Sequence, residues 1–476
     1  MEFLNHSIYT ERFNSRLPVP KWSILFLVFL LGGIVFLSIY SNMWMLWAGA
    51  FAGVMILMIN ISWPRTWIYT VAVIFPYFVQ SSEEGFQVTD FLIGVYMQGI
   101  LLAWIIWQLT VAKKKLVRNT ADWFVLFFFF AYPLFIINTA LAEADVMLAV
   151  RQYVIMFAIL YYFPIREYFS EKKHLLILLG IFFVGIIITD LYQFYTYYQR
   201  AFLEITYAFQ LGRSVRTNQN IYTAAAVYGL LFTLYIKKFK HQILMAGFTF
   251  INVAALIISY SRAYWLVFIL QLLILFIYIS KKNKIKLLLY IMILSLIVFL
   301  TIIIIFPDFW QILVEMIELR FLSAAQGTED VSMNMRLYEW QGAIEQILLK
   351  PIGGSGPAVE FTFYNPHLLE SFTTHYIHNG YIYYAFHVGI PMAVVFFIPQ
   401  VYYTAVSFYR AWYAKDIFYK YLLVASGCAL VMYLTTSFAA TVYISRDGSF
   451  VLALVYAFIG ISLENLDKNK TAPEGS

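Results

Sequence analysis

The sequence predicts an all-α polytopic membrane protein with about 12–14 transmembrane helices and one large extracytoplasmic helical loop. Three observations predict it. The chain is 62% hydrophobic and 12% charged, against about 25% charged for a soluble domain. Charge-poor apolar runs of spanning length recur from residue 22 to residue 463. Lysine falls on every second connection between them. The alternation that a β-barrel needs is absent, so the spans read as helices.

Taken in order, fourteen spans are expected, at 22–40, 42–60, 66–80, 87–110, 122–142, 146–163, 174–198, 220–236, 242–260, 262–280, 285–306, 377–400, 420–442 and 448–463. The run from Trp22 begins too late and is too long for a cleaved signal peptide. The segment 66–80 is short and contains Pro76. The connection 307–376 is the only sizeable region outside the spans. It reads as two amphipathic helices, one from Phe309 with an apolar stripe and Trp310 at its start, suited to a membrane surface. The second is "SMNMRLYEWQGAIEQILLK", with Ser332 or Asn334 as its cap and Pro351 as its stop. With no visible repeat, residues 1–476 read as a single integral membrane domain.

Lys21, Lys113, Lys114, Lys115, Lys172, Lys173, Lys237, Lys238, Lys240, Lys281, Lys282, Lys284, Lys286, Lys415, Lys420, Lys468 and Lys470 give 17 of the 18 lysines to one face, leaving only Lys350 opposite. The positive-inside rule makes that face cytoplasmic, with both termini on it. The net charge of +6 belongs to these loops and does not imply a nucleic acid. A lone Cys428 excludes an internal disulfide and any cysteine-rich metal or redox site.

Arginine does not follow lysine. Arg200, Arg213, Arg216, Arg262, Arg320, Arg336 and Arg446 fall on the outer side, and Arg151 lies in the outer third of its span. Guanidinium is a rigid fork that grips phosphate with two hydrogen bonds, whereas ammonium is a point charge. The outer arginines therefore suggest an anionic ligand. Pairing with Glu83, Glu84, Glu143 or Asp145 is the plainer alternative. Asp90, Arg151 and Asp190 are charges within or near spans, where charge is costly and marks function by default. They are expected to line a groove or to pair with each other.

Four short patterns meet on that side. "GRSVRTNQN" (212–220) carries Arg213, Arg216 and Asn220; "SYSRAYW" (259–265) puts Arg262 at a tight hairpin. "RLYEW" (336–340) puts Arg336 on the loop helix, and "HNGY" (378–381) opens a span with His378 and Asn379. His375 and His378 form a His-x-x-His pair, but a third metal ligand at suitable spacing is missing. His387 lies inside a span and reads as an interhelical hydrogen-bond donor. "GGSGP" (353–357) is either a phosphate cradle or a turn after a helix.

In this order the patterns resemble the O-antigen ligase and O-antigen polymerase superfamily, multi-span bacterial glycosyltransferases of the GT-C type, over roughly residues 210–400. The family commonly has Gly after the hairpin Arg. This chain reads Ser-Arg-Ala-Tyr-Trp, and Tyr264 is expected to crowd the site and hinder close backbone approach there. The resemblance implies a glycan donor on undecaprenyl pyrophosphate and an acceptor hydroxyl on lipid A-core or on another lipid-linked glycan. It also implies inversion at the anomeric carbon with no metal or cofactor. His378 matches the family's His-Asn position and takes the role of base; Arg262 and Arg336 stabilise the leaving pyrophosphate. Arg213, Arg216, Asn220, Asn379 and Arg151 bind substrate. A neutral histidine suits a hydroxyl near pH 7, and arginines suit charge developing in a partly dry site. The expected setting is the bacterial plasma membrane, with the site outside. A polymerase of the same chemistry is the alternative. A lipid-glycan flippase is the rival of another class, but a carrier is expected to show repeats and midplane charges, whereas the charges here gather at the outer edge.

Overall fold

The structure, a computed structural model, describes residues 64–78, 88–199, 218–259, 261–305 and 331–471, together with residues 314 and 318. The expected spans 22–40 and 42–60, most of the stretch from Phe309, and Arg213 and Arg216 lie outside the described residues.

Every expected span within them is a helix. They are α1 (Pro64–Phe78), α2 (Val88–Thr110), α3 (Thr120–Leu141), α4 (Val146–Phe157) continued through a 3-10 turn into α5 (Tyr162–Tyr168), and α6 (Lys172–Gln199). Then follow α7 (Gln219–Tyr235), α8 (Phe239–Ile258), α9 (Arg262–Tyr278) and α10 (Lys281–Ile305). The loop helix α11 (Val331–Leu349) precedes α12 (Gly380–Tyr413), α13 (Ile417–Thr436) and α14 (Arg446–Thr471). Among the described residues, seven helical stretches are long and apolar enough to cross a membrane, and α9 is a shorter apolar helix. The chain is an all-α polytopic membrane protein. One feature departs from the sequence expectation: an antiparallel hairpin, β1 (Phe361–Asn365) and β2 (Glu370–Thr374), with Phe363 opposite Phe372. Another correction concerns α11. It already begins at Val331, so Ser332 and Asn334 lie inside its first turn and neither is the cap.

The chain divides into two compact units, Met1–Ile74 with Glu167–Ile181, and Phe75–Arg166 with Phe182–Ser476. In the smaller, Arg65 Nε donates to the Tyr168 carbonyl at 3.1 Å and Tyr69 stacks edge-on against Phe169. In the larger, α13 is the central helix, with α7, α9, α12 and α14 packed on it. It is buried nearly all round, as is α14 from Phe450 to Ile461, which is how a wholly apolar helix satisfies itself inside a bundle.

One end of the large unit is closed by a buried ion pair. Asn119 and Asp122 form a capping box at the start of α3. Asp122 then accepts from Arg166 at 3.0 Å, from the Tyr162 hydroxyl at 2.7 Å and from the Tyr403 hydroxyl at 3.0 Å. Arg118 and Glu464 pair at 2.7 Å, Arg410 pairs with Asp467, and Asn283 donates to the Tyr421 hydroxyl at 2.7 Å. The lysine-bearing ends of α10, α13 and α14 and the connection before α3 thus gather at this end.

At the other end α12 is broken. Gly389 has φ 78° and ψ 160°, a region open essentially to glycine alone. Pro391 follows and has no N–H to give. The carbonyls of Phe386 and His387 need other donors. The "GGSGP" segment supplies them: Ser355 N donates to Phe386 O at 2.8 Å and Gly356 N to His387 O at 3.0 Å. In return Ile390 N donates to Pro351 O at 2.8 Å. The segment is also tied to α3, because Asn138 donates to Gly353 O at 3.0 Å and Thr139 to Pro357 O at 2.6 Å. The loop is therefore spliced into the spanning helix, and its Ser355 and Gly356 amides serve the splice instead of forming an open phosphate cradle.

Candidate functional site

Two local features bring α11 to the mouth of α12. The first is Gly342. A Cβ there would lie 2.7 Å from Phe363 Cβ, so only glycine lets α11 close onto β1. The second is the alternation of β1, which buries Phe361 and Phe363, with Phe361 against Phe386 at 5.2 Å between ring centroids. The loop helix, the hairpin and the first half of α12 thereby form one packed layer.

On α11, Arg336, Glu339 and Trp340 follow at helical spacing and share a face. Glu339 is buried. Its Oε2 lies 2.8 Å from His378 Nδ1, and its Oε1 accepts the backbone N–H of His378. Since the carboxylate accepts from both, Nδ1 carries a proton, and in the neutral imidazole the lone pair is then on Nε2. The His378 side chain is 44% exposed, so this nitrogen is within reach of a ligand.

The segment before α12 is pinned from behind. Thr441 donates its hydroxyl to Ile377 O at 2.7 Å and its N–H to the Tyr376 hydroxyl at 3.2 Å. Gly380 N donates to Ser437 O at 2.6 Å. The Tyr376 ring meets the His378 ring edge-on at 4.9 Å. Burial pushes the Tyr376 phenol above its ordinary range; the Thr441 N–H opposes this, Glu339 adds to it and Arg336 opposes it. The same influence puts Arg336 in the neighbourhood of Tyr376 and Glu339. Burial lowers the proton affinity of His375, against the pull of Glu360 and Asp145. Asn379 caps α12, its side-chain oxygen accepting from Tyr381 N at 3.0 Å and Ile382 N at 3.2 Å. His387 faces two carbonyls, Gly356 O at 2.7 Å from Nδ1 and His375 O at 3.0 Å from Nε2. It joins the loop to α12, where an interhelical bond was expected.

Arg262 is the first residue of α9, four positions after the last residue of α8. A cation is electrostatically out of place at a helix N-terminus, so its position asks for a reason other than helix stability. Two residues on, Tyr264 is buried, and its hydroxyl donates to Asn220 Oδ1 at 2.8 Å. Tyr264 thus ties the start of α9 to the start of α7, and Asn220 lies within the core.

Arg151 sits on α4 beside Gln152, which accepts from the Tyr383 hydroxyl at 2.9 Å. Among the described residues its buried Nη2 has no hydrogen-bond partner. Both carboxyl oxygens of Asp190 are likewise buried without one among the described residues, so these two residues do not hydrogen-bond each other as the sequence reading allowed. The side chain of Asp90 is not among those described. Of the sequence-predicted residues, His378, Asn379 and Arg336 thus come together. Arg262 and Asn220 share a second junction, and Arg151 stands beside the Gln152–Tyr383 contact.

Glu339 is the residue that sequence reasoning missed. The signal was inside "RLYEW" itself: an acid three positions after Arg336, on the same helical face. No curated protein matches this chain. Residues 247–397, from within α8 through the first half of α12, match the family model described as O-antigen ligase, which supports a likeness to the O-antigen ligase and polymerase superfamily over that part of the chain.

Proposed function

We propose that this protein is a glycosyltransferase of the O-antigen ligase type. It moves a glycan from undecaprenyl pyrophosphate to an acceptor hydroxyl at the extracytoplasmic face of the bacterial plasma membrane. The observation that carries this reading is the buried Glu339 carboxylate behind a half-exposed His378. Such a pair fixes the ring and its tautomer, leaving Nε2 to take a proton.

In this mechanism the acceptor O–H gives its proton to His378 Nε2. The acceptor oxygen attacks the anomeric carbon from the face opposite the pyrophosphate. The bond from that carbon to the pyrophosphate oxygen breaks, the electron pair stays on that oxygen, and the configuration inverts. Arg262 and Arg336 hold the developing charge, with Arg213, Arg216 and Arg151 along the donor. Asn379 and Asn220 act by position, the first by capping the helix behind His378 and the second by anchoring the helix that begins with Arg262. The lysine-rich end of the bundle faces the cytoplasm, with both termini on that side. Residues 1–476 form one integral membrane domain from which 307–376 extends on the opposite side.

The acceptor is a lipid A-core sugar in this reading. The test is an incubation of purified protein in detergent with the pyrophosphate-linked donor, with and without lipid A-core. Product that needs the core supports a ligase, whereas chain growth on the donor alone makes the protein a polymerase. Absence of product under both conditions, with translocation of the donor in vesicles, identifies a flippase instead.

A further inference from the structure

The lipid-facing surface of α3 does not stop where the helix stops. Trp123, Phe127, Phe130, Leu134, Ile137 and Leu141 are all more than half exposed, and they recur every three or four residues along one stripe. At about 1.5 Å per residue, this helix covers the ~30 Å hydrocarbon layer of a bilayer. Leu141, its last residue, therefore marks the hydrocarbon edge on the His378 side. Leu141 also lines an open pocket of about 440 Å³ together with Asn138, Lys350 and residues 351–354 of the loop.

The loop tip beside Leu141 reads Leu-Leu-Lys-Pro-Ile. Leu348, Leu349, Ile352 and Leu141 are each more than 70% exposed. Four large apolar side chains at one tip are an anomaly in water. Their continuity with the α3 stripe says what covers them. Lys350 is the one lysine on this side of the bundle, and a long cationic stem among apolar neighbours can reach up to headgroups.

We propose that residues 348–352 are inserted in the bilayer leaflet on the His378 side. Acyl chains fill the pocket between the tip and the end of α3, and the Lys350 ammonium reaches the headgroup phosphates. The inserted tip carries Pro351 O, the acceptor of Ile390 N at the break in α12. The bilayer surface thereby fixes the height of the joint, and with it of α11 and its Glu339. This inference concerns membrane contact and stands apart from the transferase reading.

The test is fluorescence quenching in reconstituted bilayers, which requires no catalysis. An environment-sensitive thiol label is placed on Leu349→Cys and, separately, on Ile352→Cys, both in the full chain with Cys428→Ser. Tyr364→Cys, on the exposed face of the hairpin, is the aqueous control. Lipids brominated on the upper acyl chain should quench the two tip labels several-fold more than the control, and iodide in the buffer should show the reverse order. Tip labels quenched by iodide as readily as the control, and untouched by brominated lipid, overturn the proposal. The two tip positions guard against one variant failing to fold.

Discussion

Glu339 Oε2 and His378 Nδ1 lie 2.8 Å apart although 39 positions separate the residues in the chain. The contact joins the loop helix to the mouth of a spanning helix, and the carboxylate is buried while the imidazole is half exposed. In the proposed mechanism Glu339 is a positioning residue. His378→Ala should lose the contribution of a general base, roughly 10²- to 10⁴-fold in rate. Glu339→Gln keeps the shape but loses the acceptor-only carboxylate. It should lower kcat by as much as about 10⁴-fold, the scale seen for the carboxylate behind the histidine of serine proteases. KM for the donor and the thermal midpoint should change little, and Glu339→Asp should recover part of the rate. A parallel fall in stability and KM, without a kcat effect, would assign Glu339 to structure alone.

Arg262→Lys separates a fork from a point charge. An exposed ion pair contributes only about 0–1 kcal/mol, so a residue that merely balances a neighbouring acid tolerates the change. Removing a donor aimed at developing charge costs roughly 3–4 kcal/mol, or about 100- to 1000-fold in rate. Steady-state kinetics on folded Arg262→Lys and Arg336→Lys should show losses in that direction, with Lys282→Ala at the other end unaffected. Wild-type turnover by Arg262→Lys would remove it from the leaving-group role.

Gly389→Ala should be severely destabilising. Its backbone has φ 78°, and a Cβ would lie 2.0 Å from Ile352 O. Strain of this kind costs about 1–3 kcal/mol before any clash is counted. Gly353→Ala meets nothing within 4 Å and should leave the melting midpoint unchanged. Equal midpoints for both variants would mean that the splice does not hold in the protein.

His375 gives a pH dependence with a definite sign. Its folded-state pKa is depressed by burial from an ordinary value of 6.5. Above that value both states are neutral and His375 contributes nothing. As pH falls through it, the unfolded chain binds the proton first, so stability declines, and the decline ends once the folded state is protonated too. Denaturation measured across mildly acidic pH should show a shallower decline for His375→Asn than for the parent; identical slopes would remove His375 as a source.

The far end of the bundle offers a contrast of burial. Asp122→Ala takes from the Arg166 guanidinium, which is 2% exposed, its buried carboxylate and leaves it only Glu464 at 3.5 Å as a counter-charge; it should cost about 3–5 kcal/mol. Arg118→Gln breaks a pair whose members are 27–37% exposed, leaves Glu464 beside Arg166 at 3.5 Å, and should cost no more than about 1 kcal/mol. Chemical denaturation in detergent distinguishes the two, and similar losses would contradict the assignment of the buried pair.

The spans were legible because an apolar run of spanning length has one stable solution in lipid. The opening of α12 at the His-Asn-Gly-Tyr motif and the start of α9 at Arg262 were legible because both depend on near neighbours in sequence. The hairpin was not: its two strands have five residues each, and their inward phenylalanines find their partner on α11 and α12. Glu339 was not, because an acid on a polar loop helix reads as solvated until the facing element is known. The partner of Tyr264 was not legible for a related reason: its size was visible, but its hydroxyl bonds Asn220, 44 positions earlier.

The exchange of hydrogen bonds around Gly389 bears on how such proteins can be recombined. Residues 351–356 complete the hydrogen bonding of a helix inside the bilayer, so the loop is not a detachable module. Deleting it, or grafting it from a relative without residues 386–390, would leave two carbonyls and an amide unpaired in a low-dielectric layer. Viable chimaeras of this chain should therefore have crossover points outside this joint, with both halves inherited together.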